Sequence, residues 1–175
     1  MAGLLADVPR MVIGGIIISA LSLILHVIGF STTYWYKPED TGHFGLWKTC
    51  GQAQKGVPEI CIDNEDFSGS LLNDNFKAAR ALECLALVSF IAALTSAVLK
   101  IVVLKEKGIL NFVAGLVNLM AGGLTLIGLC VFATMQLFGG VKLDSTKFHY
   151  SFGLCIVGGI GGLISGIVFI IAWRK

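Results

Sequence analysis

The chain has 175 residues, of which 55% are hydrophobic and only 14% charged, with a formal net charge of +2. Soluble domains carry about 25% charged residues, so this surface is built to face lipid rather than water alone. The length allows one compact unit, and no lysine- or arginine-rich run supplies the basic face that nucleic-acid binding requires.

The first element is an apolar run from about Met11 to Ser31. A bilayer core is crossed by ~20 helical residues, which makes this run a candidate span. It is longer than the apolar region of a cleaved signal, and no clear small-x-small site precedes Trp35, so it reads as a retained span. A polar loop follows, from Thr32 to Lys77. Trp35, at the end of the span, suits a ring in the headgroup layer, whereas Trp47 lies well beyond it in polar sequence. The segment Phe44 to Cys50 reads as a strand with mixed alternation, and Glu59 to Asp63 alternates strictly. Gly51 and Gly56-Val57-Pro58 mark turns, which predicts an antiparallel hairpin within a small sheet.

Cys50 and Cys61 both lie in this polar loop, and paired thiols there point to an oxidising compartment. A bond between them would be worth about 3 kcal/mol on chain-entropy grounds. The alternatives are two free thiols or a pair of metal ligands; zinc would ask for about four ligands, and only His43 lies near.

Three more spans are expected, from about Ala78 to Leu104, Ile109 to Phe138 and Tyr150 to Trp173. A short link around Lys105 to Gly108 and a second loop, Gly139 to His149, separate them. Four spans place both termini on one side, with short tails. Arg10, Lys100, Lys105, Lys107, Arg174 and Lys175 crowd that side in little chain, which marks it as cytosolic. The long loop then lies outside, in agreement with its two cysteines. Cys84, Cys130 and Cys155 fall in apolar spans, where thiols behave as small hydrophobes.

Several residues within the spans invite a reading. Arg80 and Glu83 stand one helical turn apart, a spacing that lets them pair and tie the second span to the base of the sheet. His26 and Asn118 are suited to hydrogen bonds between helices, and their scatter argues against a proton relay. Gly158, Gly162 and Gly166 recur at every fourth position, a stripe for close packing within the bundle or for docking another chain. No HExxH, GxSxG or phosphate-loop pattern occurs, so neither an enzyme nor a cofactor or metal site is expected.

Trp35, then Gly45-Leu46-Trp47, then Cys50 and Cys61, set between a first and second span, together resemble the claudin, epithelial membrane protein and peripheral myelin protein superfamily, which also includes calcium channel gamma subunits. Lys77 to Leu82, with Arg80, is similar to the claudin segment that opens the second span, and the last span is closer to the myelin branch. The resemblance implies one tetraspan domain: a left-handed four-helix bundle topped by an antiparallel sheet, with four strands from the first loop and one from the second. It implies a plasma-membrane protein at cell–cell contacts, in lipid, joined to copies of itself or related tetraspan proteins in cis and in trans. An auxiliary subunit of an ion channel, or a membrane organiser of the myelin type, is the alternative. By the same analogy Asp63, Glu65 and Asp66 are candidates for cation selectivity, and Leu143, Phe148 and Tyr150 for contacts between protomers. The sequence departs from many claudins in lacking a PDZ-binding end at Lys175, and no Asn-x-Ser/Thr sequon occurs.

Overall fold

In a bilayer every backbone polar group must find its partner within the protein, so long apolar runs become helices. A computed structural model, which describes residues 8–39, 42–52, 57–65, 74–103, 108–137 and 141–174, has four of them. They are α1 (Arg10–Ser31), α2 (Asp74–Val102), α3 (Ile109–Ala133) and α4 (Tyr150–Arg174), each long and apolar enough to cross a membrane. The second span starts earlier than the apolar run, because Asp74 sits well at a helix N-terminus, where backbone N–H groups favour negative charge. The third stops at Ala133 rather than near Phe138: Thr134 turns its hydroxyl back to the Cys130 and Val131 carbonyls, and the chain leaves as a strand.

The helices form a ring in which α1 packs on α4, α4 on α3, α3 on α2, and α2 closes more loosely on α1. Buried positions recur at alternating steps of three and four: Val12, Gly15, Ser19, Ser22, His26 and Gly29 in α1. In α2 the same rhythm runs Phe76, Ala79, Glu83, Ala86, Phe90, Ala93 and Ala97. Such a seven-residue repeat is the period of left-handed helix packing. Polar groups on these lines bond across the bundle: Ser19 Oγ donates to Asn118 Oδ1 at 3.0 Å, and Ser165 Oγ to the Gly15 carbonyl at 2.9 Å.

One end of the bundle carries a lid. Strands β1 (Tyr36–Glu39), β2 (Gly42–Phe44), β3 (Lys48–Gly51) and β4 (Ile60–Asp63) form one antiparallel sheet in sequence order. Cys50 and Cys61 face each other across β3 and β4 and are disulfide-bonded. The segment Phe44 to Cys50 is not one strand, as its alternation had predicted. Gly45-Leu46-Trp47 is a turn between β2 and β3, closed by Gly45 N–H donating to the Lys48 carbonyl at 3.0 Å. A Cβ on Gly45 would stand 2.6 Å from the Thr32 carbonyl oxygen, so only glycine lets this turn press against the end of α1.

The second loop does not add a full strand to this sheet. It forms its own short hairpin, β5 (Gln136–Leu137) and β6 (Val141–Lys142), and among the described residues one isolated bridge, between Tyr36 and Phe148, joins it to the first loop's sheet. Further bonds fasten it: His149 N–H to the Trp35 carbonyl at 3.1 Å, Asp144 N–H to the Tyr36 hydroxyl at 3.2 Å, and Lys147 Nζ to the Pro38 carbonyl at 2.6 Å. Leu143 is buried and Phe148 stacks on Phe152 at 4.3 Å, so of the three aromatic and aliphatic contact candidates only Tyr150 is open.

Candidate functional site

The last carbonyls of a helix have no partner within it. In α1 two of them are taken by tryptophans. Trp35 Nε1 donates to the Gly29 carbonyl at 2.7 Å, and Trp47 Nε1 to the Phe30 carbonyl at 2.9 Å. Trp35 is fully buried rather than in a headgroup layer, because its ring is surrounded: Phe132 meets it edge-on at 4.9 Å and Phe152 at 5.8 Å. Leu46 is fully buried beside it, and Phe44, Phe76 and Met135 complete the same cluster. The spacing between the two tryptophans thus has a mechanical meaning: the chain leaves α1, runs out and back as β1 and β2, and returns to cap the helix a second time.

Arg80 lies 4.5 Å over the Trp47 ring and its Nη2 is 3.1 Å from Glu65 Oε1. It does not pair with Glu83. Positions three apart on a helix differ by about 60° around the axis, and here that angle separates the lid edge from the bundle interior. Glu83 is fully buried and faces His26. Asp63 lies 3.5 Å from Lys48 Nζ, so both described acidic candidates have a cation alongside, while Asp66 lies outside the described residues. The glycine stripe is turned inward. Gly158 abuts Ser22 and His26 of α1, Gly162 abuts the Phe90 ring, and Gly166 abuts Leu119 and the Gly115 carbonyl.

Two surfaces of the lid remain open. One is the outer edge of β4, which has no strand partner among the described residues; its four residues are all exposed, Ile60 at 62%. The other is an apolar groove of about 390 Å³ between Pro38, Phe44, the disulfide, Ile60 and Ile62.

The model of the PMP-22/EMP/MP20/Claudin family matches residues 4–173. The chain belongs to this family. It is therefore a multi-pass membrane protein of the claudin/PMP-22 type, built on four helices and a small antiparallel sheet. A comparison with individual curated proteins finds no significant match.

In this claudin/PMP-22 family chain, sequence reasoning overlooked Asn64. It is 1% exposed and holds the Gly45-Leu46-Trp47 turn from below. Its Nδ2 donates to the Gly45 carbonyl at 3.0 Å, its Oδ1 accepts from the Thr49 hydroxyl at 2.7 Å, and its N–H donates to the Trp47 carbonyl at 2.9 Å. An asparagine just after an alternating strand offered no signal beyond its turn preference.

His43, weighed in the sequence only as a metal ligand, has a different set of partners. Its Nδ1 lies 3.2 Å from Glu59 Oε1, its Nε2 3.0 Å from the Thr33 hydroxyl, and Tyr34 stacks on it at 3.7 Å. Burial pulls its pKa below the ordinary value; Glu59 opposes that pull, and Lys37 and His149 add to it. The folded lid then binds fewer protons at this site than the unfolded chain, so stability is fully present above a pH of about 6.5 and falls as pH drops below it. Acidification from about pH 7.5 to about 5.5 should lower the thermal unfolding midpoint of the protein in micelles, and His43→Asn should blunt that fall. An equal acid response in the variant would assign the effect elsewhere.

Proposed function

We propose that this protein acts at cell–cell contacts, as an adhesive or junctional component whose disulfide-closed lid faces outward and whose termini lie in the cytosol, and that it is not an enzyme. The observation that carries this reading is the β4 edge, which has no strand partner among the described residues, beside the apolar groove. An unpaired edge with exposed Ile60 and Ile62 offers backbone hydrogen bonds and apolar surface to a neighbouring chain, a liability that soluble proteins cover. The disulfide and the density of Lys and Arg near the opposite span ends support the orientation.

Expression in otherwise non-adhering cells tests the proposal. The protein should gather at cell–cell borders and form continuous strands in freeze-fracture images, and Ile60→Lys with Ile62→Lys should disperse it. A diffuse protein that instead co-purifies with an ion channel would favour the auxiliary-subunit reading. In layers where strands form, the combined variant Asp63→Asn, Glu65→Gln and Asp66→Asn reports whether the acidic edge sets cation preference; unchanged charge selectivity would remove that role.

A further inference from the structure

Below the lid, α1, α2 and α4 each direct one polar side chain to a common point. These are His26, Glu83 and Cys155, all fully buried, and one donor atom of each lies within 4.8 Å of the others. The hydrogens can be assigned. His26 Nε2 lies 3.3 Å from the Glu83 carbonyl oxygen, which can only accept, so Nε2 bears the hydrogen and Nδ1 is a bare lone pair. Nδ1 faces Glu83 Oε2 at 3.7 Å, beyond hydrogen-bond range. The Thr125 hydroxyl, 3.5 Å from Nδ1, donates its hydrogen to the Ala121 carbonyl at 3.0 Å. Both Glu83 oxygens lack a donor among the described residues. A carboxyl, an imidazole nitrogen and a thiol from three helices therefore converge with no hydrogen bond made to the carboxyl oxygens, an arrangement that is costly in an apolar interior unless a cation displaces the thiol hydrogen as a released proton and joins them.

Room for the cluster comes from glycines. A Cβ on Gly29 would stand 2.5 Å from Cys155 Sγ, one on Gly128 2.7 Å from Glu83 Oε1, and one on Gly158 3.5 Å from His26 Cβ. We propose that His26 Nδ1, the Glu83 carboxylate and the Cys155 thiolate form a buried site for a divalent transition metal of the zinc class. Two nitrogen or oxygen ligands on tetrahedral zinc lie about 3.3–3.4 Å apart, so the 3.7 Å pair needs only a small contraction. Mixed imidazole, carboxylate and thiolate donors suit zinc, whereas calcium and magnesium require more oxygen ligands. A carboxylate, a thiolate and a divalent ion sum to zero charge, the sum a membrane interior tolerates. The Nε2–H bond to a backbone carbonyl is the outer support that metal-binding histidines use. Thr125, or a water, supplies the fourth position.

The full chain, purified in nanodiscs, stripped with a chelator and titrated with Zn²⁺ or Co²⁺ alone, tests the site. About one equivalent should survive desalting, with zinc raising the thermal midpoint. Cobalt should show thiolate charge-transfer absorption in the near ultraviolet that Cys155→Ala abolishes. Glu83→Gln should weaken binding at least ~10-fold, while His43→Ala, which removes the lid imidazole beside Glu59, should bind as the parent does. Loss of binding in His43→Ala, or a sulfur band that persists in Cys155→Ala, overturns the proposal. Should the core variants fail to fold, the parent decides: no retained metal, or a cobalt spectrum without sulfur character, overturns it equally.

Discussion

Trp35→Ala is expected to cost the protein about 3–5 kcal/mol, the range for removing a buried aromatic. The site has little means of collapse, since Trp35 sits among Phe132, Phe152 and Leu46 and is walled by the α1 terminus. The substitution also strips the Gly29 carbonyl of its indole donor in a place closed to water. Trp35→Phe separates the two losses: it retains most of the packing and should cost about 0.5–1.5 kcal/mol for the indole hydrogen bond, since the Gly29 carbonyl keeps a 3.4 Å bond from the Thr32 hydroxyl. Lys48→Ala is the contrast. Both partners of the Lys48–Asp63 pair are more than half exposed, so its removal should stay below about 1 kcal/mol. Denaturant unfolding in micelles measures all three, and the fraction of chains with Cys50 and Cys61 bonded reports lid closure independently. A Trp35→Ala protein within about 1 kcal/mol of the parent would contradict the anchoring role.

Gly162→Leu should be comparably damaging for the opposite reason. A Cβ on Gly162 would already stand 2.7 Å from the Phe90 ring and 3.3 Å from the Gly122 Cα. Larger atoms there must push α4 away from α2 and α3, and overpacking of this kind costs about 1–3 kcal/mol or more. Phe90→Ala, which opens the facing volume, should recover part of the loss in the double variant, a coupling that distant sites would not show. Gly123→Ala and Gly153→Ala, with nothing within 4 Å of the added atom, should be neutral or slightly stabilising. Retention of native thermal stability by Gly162→Leu would mean that α4 is not packed through this position.

Run length and charge were enough to locate four helices, because a membrane span leaves the plainest mark a sequence can carry. The paired cysteines and the triplet Gly45-Leu46-Trp47 pointed to the lid. What was not legible is which way side chains turn. Arg80 and Glu83 share a helical turn, and pairing seemed natural by spacing alone; yet one lies on an indole at the lid edge and the other in the bundle. A signal did exist. Glu83 falls seven residues from both Phe76 and Phe90, on a line where Ala79, Ala86 and Ala93 mark the neighbouring track. Read as a seven-residue repeat, that pattern places Glu83 inside. The β2–β3 turn was hidden for another reason: alternation over Phe44 to Cys50 is blind to a glycine that must approach backbone closely. The second loop is fastened to the first by bonds from Asp144, Lys147 and His149, which no single-sequence pattern encodes.

The two indoles offer hydrogens, and so they need a helix end that offers oxygens. Because the lid follows α1 in sequence, Trp35 and Trp47 meet the same carbonyl end whichever way the span enters the bilayer, so these caps fix the lid to its own helix and not to one side of the membrane. What does depend on the side is the crosslink: Cys50 and Cys61 stay bonded only where thiols are oxidised, so a lid delivered to a reducing compartment would keep its caps and lose its staple.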